Sequence, residues 1–360
     1  TFTNCIFRNN GCNNVADSGN TGGAIGAQNG TLKVVDCTFV SNSLHTTGNQ
    51  NALGGAIGAT GASVSIECCR FDNNWTQANH PRNYGGGAIG LRSCPSILID
   101  HCTFTTNFAR RGTGSGGWQW DNIKQGGPYG GTIYIDSSPS VVISDCKVIG
   151  SWNNSFCPPS PTFPWGGTMF FGESTVALVR TSVFAGGENQ YTSGESYTHA
   201  NGSIDVRGGS LAMTNVLHAA SRNGWALGNN GGTITVENCT FAGARGLSGL
   251  VNAAYIQVAG TATFRNCVVW GNAGGFVYSG NVGDAPTITY TDSQDGADET
   301  TYVISQDPKF LGADAWNYRI KTGSPCANAG DKTGIPRTET DLDGGRRIRG
   351  EIDLGCYESL

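Results

Sequence analysis

The chain has 360 residues, enough for one large all-β domain or two ordinary ones, and its 55 Gly, 2 Met and 14% charged residues argue against a helical protein. A formal charge of -5 without a basic run or stripe argues against a nucleic-acid partner. No apolar run reaches the roughly 18 residues that a transmembrane helix needs.

In chain order the first landmark is GGAIG, at 22–26, 54–58 and 86–90, with copies 32 residues apart. A fixed period of about 20–50 residues marks a solenoid or a propeller. The second landmark is Cys-x-Phe or its variants, starting at Cys5, Cys37, Cys69, Cys102, Cys146, Cys239 and Cys267. Thr181-Ser182-Val183 and Val216-Leu217-His218 fill the same slot in two units that lack the cysteine. The slot advances by 32, 32, 33, 44, 35, 35, 23 and 28 residues, which makes nine units.

Ahead of each slot lies an alternating strand, with inward residues five and three positions before it. These are Leu32 and Val34, Val64 and Ile66, Ile97 and Ile99, Val141 and Ile143, Val176 and Leu178, and so on to Ala262 and Phe264. A period of two means one buried face. A second strand surrounds Ile25, Ile57, Ile89, Ile133, Met169, Ile204 and Leu227. Asn follows the slot by five at Asn10, Asn42, Asn74, Asn107 and Asn272. Asn suits a turn there and, stacked on itself, forms an amide ladder. His218, in the inward Phe slot, reads as a core histidine.

A unit of short strands and turns cannot bury its own apolar face. Stacking such units about 4.8 Å apart makes parallel sheets and one continuous core. Propeller blades need about 40–45 residues, which the units of 23 and 28 residues do not supply. The expected fold is all-β: a single-stranded parallel β-helix, a solenoid of about nine coils, over residues 1–290. It is expected to be N-terminally incomplete, because the chain starts inside a unit. Residues 291–360 are expected to form an irregular closing segment packed on the helix.

GGAI together with CTFxxN resembles the repeats of polymorphic outer-membrane and related surface proteins, within the wider group of pectate-lyase-like right-handed β-helices. The resemblance covers about residues 1–290 and implies a right-handed coil. DPKF at Asp307–Phe310, YRIKTGSPCANAG at Tyr318–Gly330 and DLDGGRRIRGEIDLGCYE at Asp341–Glu358 resemble the choice-of-anchor segment that closes many secreted bacterial β-helix proteins. This implies an extracellular or surface-attached protein but no single activity, since the group mixes enzymes and non-enzymes.

Cys326 and Cys356 stand where that segment usually has small apolar residues. They are expected to pair as a disulfide in an oxidising compartment. The seven slot cysteines are expected to be buried thiols, because neighbours one coil apart exceed the disulfide Cβ range of roughly 3.5–4.5 Å. A straight row cannot surround an ion, so no metal and no cofactor is expected.

From the fourth unit the GGAIG row becomes GGTIYID, GGTMFFGE, NGSIDVR and GWALG, and long insertions appear. Trp118, Trp120, Trp152, Trp165, Trp225 and Tyr134 are the candidate glycan-binding aromatics, suited to the apolar faces of sugar rings. Equally, they could seal the loops against the wall, since Trp is usually mostly buried. Asp136, Glu173, Asp205 and Arg207 are the candidate catalytic residues. A glycoside hydrolase needs two carboxylates about 5–10 Å apart, and a lyase needs a base and a cation. Such residues also form plain salt-bridge ladders. The small residues beside Ile25, Ile57 and Ile89 would leave a flat Gly/Ala face on which copies could associate. Two functions stay open. One is an extracellular structural or adhesive module that binds a polysaccharide or surface glycan. The other is a secreted polysaccharide lyase or glycoside hydrolase.

Overall fold

The computed structural model describes residues 1–13, 22–46, 52–78, 84–111, 129–155, 166–191, 203–222, 225–245, 253–278, 285–313 and 316–359. Among them the chain is all-β, without an α-helix. Most strands gather in three long sheets of 17, 10 and 6 members whose pairings are all parallel. The largest sheet has two limbs, joined because Leu227–Glu237 and Ala253–Arg265 run unbroken through both. The ten-stranded sheet, here the second, takes one strand per repeat. It runs from Ile6–Arg8 through Thr38–Val40 to Asp292–Ser293. These long parallel sheets are consistent with a parallel β-helix.

Side-chain ladders explain the repeat. At the slot, each backbone N–H donates to the sulfur of the next repeat: Cys5 to Cys37 at 3.3 Å, Cys37 to Cys69 at 3.4 Å and Cys69 to Cys102 at 3.4 Å. Each thiol in turn donates to the carbonyl two residues earlier, as Cys69 does to Glu67 at 3.1 Å. The slot therefore selects a small side chain that both accepts and donates. Ser182 and Thr291 meet the same need, taking the N–H of Cys146 at 3.1 Å and of Cys267 at 3.4 Å. All seven slot cysteines are free thiols.

Ser182 also corrects the sixth slot by one residue. It reads Ser182-Val183-Phe184 rather than Thr181-Ser182-Val183, since Lys147 pairs with Val183. The inward residues of that strand are Ala177 and Val179, while Val176 is 50% exposed. Inside the second sheet Phe7, Phe39, Phe71 and Phe104 stack with ring centroids 4.7, 4.7 and 4.8 Å apart. His218 continues the buried row. Burial lowers its pKa to about 4, so it stays neutral. The asparagines form the expected amide ladder. Asn42 Nδ2 donates to Asn74 Oδ1 at 2.9 Å, and Asn74 Nδ2 to Asn107 Oδ1 at 3.0 Å.

The GGAIG strip is not the open face expected from its small residues. Gly26 is exposed, but Ala56, Gly58, Ala88 and Gly90 are buried. A Cβ on Gly90 would lie 2.5 Å from Gly54 N and 2.7 Å from the Leu53 carbonyl carbon. The chain entering each repeat folds over the strand of the next one and leaves no room for a side chain. The first glycine of the pair makes that turn in the left-handed region, at φ 74° for Gly54 and 72° for Gly86. The proposed self-association face is therefore covered by the chain's own backbone from the second copy onward.

The C-terminal residues are irregular and dock on the sheets. Arg265 reaches Asp331 at 2.9 Å, Asn215 donates to Glu339 at 2.7 Å, and Cys356 N donates to Thr240 Oγ1 at 3.1 Å. Buried Arg347 lies 3.1 Å from Glu358. The expected disulfide is not formed, because Cys326 and Cys356 are both free and belong to different packing clusters. The Cys326 thiol instead donates to Asp292 Oδ2 at 3.0 Å.

Candidate functional site

Two outer faces carry candidate functional side chains. The first lies on the 17-stranded sheet. Strand alternation after Ile133, Met169 and Ile204 turns Tyr134, Phe170 and Asp205 outward in one row, and Arg92, Asp136 and Arg207 in the next. Arg92 Nε lies 3.4 Å from Asp136. Burial raises the Asp136 carboxyl pKa, and Arg92 opposes that shift. Glu173 is exposed beside them, and Arg207 sits next to Asp205 and Tyr129. The expected acidic and basic residues do share one patch.

Asp205, however, is 0% exposed. Its Oδ1 accepts Asn230 Nδ2 at 2.8 Å, while Oδ2 has no partner. Desolvation pushes its pKa up from 3.8 to about 7. The folded protein thus keeps a proton that the unfolded chain releases. Stability from this group is expected to fall as pH rises from 3.8 to about 7, then to level off. Asp205→Asn should remove that component in thermal melts across the range. A variant that keeps the same pH slope as the parent would count against a neutral buried Asp205.

The aromatics expected on this face are not open. Tyr134 is 3% exposed and packs with Leu53, Tyr129 and Phe170, and Trp225 is 5% exposed. Their role is to fill space over the sheet. Trp118, Trp120 and Trp165 lie outside the described residues.

The second face is the outside of the six-stranded third sheet. Its register aligns Ser43, Trp75, Phe108, Trp152 and Glu188, and isolated bridges extend the row to Arg222 and Arg245. Phe108 and Trp152 stack with centroids 4.0 Å apart, and Trp75 and Phe108 at 6.0 Å. Arg110 caps Trp75, with its guanidinium carbon 4.8 Å from the ring centroid. The column therefore satisfies most of its own ring faces. The face of Trp152 away from Phe108 turns toward the charged end of the row.

There a cleft of about 410 Å³ opens between the third sheet and the C-terminal residues, walled by Trp152, Glu188, Arg222, Arg245, Trp316 and Tyr318. Trp316 is 45% exposed and lies over Gly186, where an added Cβ would be 3.8 Å from its ring. The floor is the left-handed turn position four residues after the slot. It holds Ser41, Asn73 and Thr106 in earlier repeats, but Gly150, Gly186, Ala220 and Gly243 along the cleft. Glycine there is also easy for the backbone. Alanine is not, and Ala220 sits at φ 53°. Small size accounts for Ala220 better than backbone preference does.

Of the residues singled out from sequence, only Trp152 belongs to this cleft. Glu188, Arg222 and Arg245 were missed, although a signal existed. Each stands six residues after its slot residue, at Ser182, Val216 and Cys239, as Trp152 does after Cys146. Trp316 lies far away in the chain and reaches the cleft only through the docking of the C-terminal residues.

Among the described residues one group has metal-ligand composition, Asp100, His101 and Asp145. His101 Nδ1 lies 2.7 Å from Asp100 Oδ2, an ordinary surface hydrogen bond. No helix among the described residues is long and apolar enough to cross a membrane. Compared with protein-family models, with curated proteins and with solved structures, the chain finds no match in any of the three.

Proposed function

We propose that the chain is an extracellular or surface-attached structural module that binds a glycan. In this reading it is a right-handed parallel β-helix of about nine coils, and residues 291–360 close it. One observation carries the binding role: the cleft presents two indole side chains, Trp152 and Trp316, beside charged hydrogen-bonding groups above a floor of glycine and alanine. Aromatic faces flanked by a few convergent polar groups are the usual make-up of a small-ligand site. The apolar faces of a sugar ring match the indoles, and its hydroxyls match Glu188 and the arginines. The resemblance of the repeats and the C-terminal motifs to secreted surface proteins supports the location.

A second reading keeps the first face as a catalytic site for polysaccharide cleavage. Asp136 and Asp205 with Arg207 favour it, since one carboxyl retains its proton near neutrality while the other is paired with Arg92. Complete burial of Asp205 stands against it, because no substrate oxygen reaches a carboxyl at 0% exposure.

The binding role is tested by retention of the protein on immobilised plant, algal and host polysaccharides. Trp316→Ala, at an exposed position, is expected to weaken the strongest interaction by roughly tenfold or more. Unchanged affinity would remove the cleft as the binding site.

A further inference from the structure

Resting on the reading of the cleft as a glycan site, we infer that its ligand is an acidic sugar, held through a carboxylate or sulfate by Arg222 and Arg245. The two arginines are bridge-paired neighbours on adjacent chain segments of the third sheet, and both are exposed. Neither side chain makes an ion pair among the described residues. Five other arginines do: Arg70 with Asp72, Arg92 with Asp136, Arg265 with Glu237 and Asp331, Arg319 with Asp343, and Arg347 with Glu358. What sets Arg222 and Arg245 apart from the remaining exposed arginines is that they are paired with each other on the wall of one cleft.

Like charges directly opposite each other on neighbouring strands are destabilising. Placing two guanidinium groups one repeat apart on a cleft wall creates a standing demand for an anion. A guanidinium answers it with a planar fork of donors matched to carboxylate and sulfate oxygens. Glu188, next in the row, limits the site at one end.

The surroundings argue for a sugar rather than a bare ion. Trp152 precedes Glu188 in the same row, so a ring stacked on its open face would place substituents toward the arginines. Trp316 closes the opposite wall. The C-terminal residues would then be half of the recognition site as well as a dock for the sheets. A chain with formal charge -5 repels polyanions as a whole, so any attraction must be local.

The test uses the full chain and three galactose-based polymers: neutral galactan, polygalacturonate and a sulfated galactan. Poly-glutamate serves as a non-sugar polyanion. At least one acidic galactan is expected to bind, with affinity falling as salt rises. The sulfated and uronate polymers identify which anion is preferred. Arg222→Gln combined with Arg245→Gln is expected to lower that affinity by roughly tenfold or more. Arg8→Gln, removing one exposed charge far along the chain, should leave it unchanged.

Equal binding of neutral and acidic galactans, unaffected by the double substitution, would overturn this inference and leave the glycan reading standing. Equal binding of poly-glutamate would overturn it in favour of a simple anion site. If no polymer of any kind is retained, the glycan reading fails and this inference fails with it. Both arginines are exposed, so the double variant is expected to fold, and an unchanged melting profile checks this.

Discussion

Phe71→Ala is expected to lower the stability of the chain by about 3–5 kcal/mol, the usual cost of emptying a fully buried aromatic site. Phe71 is 0% exposed and lies in a column, 4.7 Å from Phe39 and 4.8 Å from Phe104 by ring centroid. Both neighbours are held by strands of the second sheet and cannot slide into the gap without breaking its ladder. The cavity therefore stays open, and each flanking ring loses a stacked face. Urea denaturation of the variant beside Arg70→Ala measures it. Arg70 is exposed on the same strand, so its truncation should change stability by about 0.5 kcal/mol or less. A loss below about 1 kcal/mol for Phe71→Ala would mean that the stack is not a continuous core.

Gly90→Ala is expected to cost about 2–3 kcal/mol, whereas Gly26→Ala should be close to neutral. The two glycines occupy the same slot of the repeat, in register through Gly58. They differ in what covers them. Around Gly90 the nearest atoms to an added Cβ all belong to backbone: Gly54 N at 2.5 Å, the Leu53 carbonyl carbon at 2.7 Å and Leu53 Cα at 2.8 Å. No side chain can rotate away, so the covering segment must lift from the sheet. Gly26 is exposed, with no backbone packed on it among the described residues. Equal effects at both positions in thermal melts would show that the glycines serve the strand itself and not the close approach of the chain above it.

The contrast between these glycines shows what could be read from the chain and what could not. Period-two alternation, the Cys-x-Phe slot and the Asn positions each depend on contacts with the same position one repeat away. They were legible because identical residues recur at nearly constant distance. Ser182 was misread by one position because the repeat there lacks its cysteine, and the hydroxyl that replaces the thiol gives no pattern by itself. The glycine strip was legible as a strip. Its covering by Leu53 and Gly54 was not, because that contact follows from how tightly the incoming turn folds back.

The candidate cleft was the least legible part. Trp152 was singled out for its chemistry. Its row partners Glu188, Arg222 and Arg245 emerge only when residues are counted from a slot whose sixth copy was shifted. Trp316 has no periodic relation to any of them. Conversely, Tyr134 and Trp225 have the right chemistry for sugar contact but are buried, Tyr134 against Leu53, Tyr129 and Phe170.

We propose that this chain binds a glycan without cleaving it. The most direct measurement incubates the protein with the polysaccharide it retains best and follows both bound protein and released products, as new reducing ends and as absorbance from unsaturated sugars. Saturable binding with no product is expected. Product release that is abolished by Asp136→Asn or Asp205→Asn would contradict it and move the active centre to the first face.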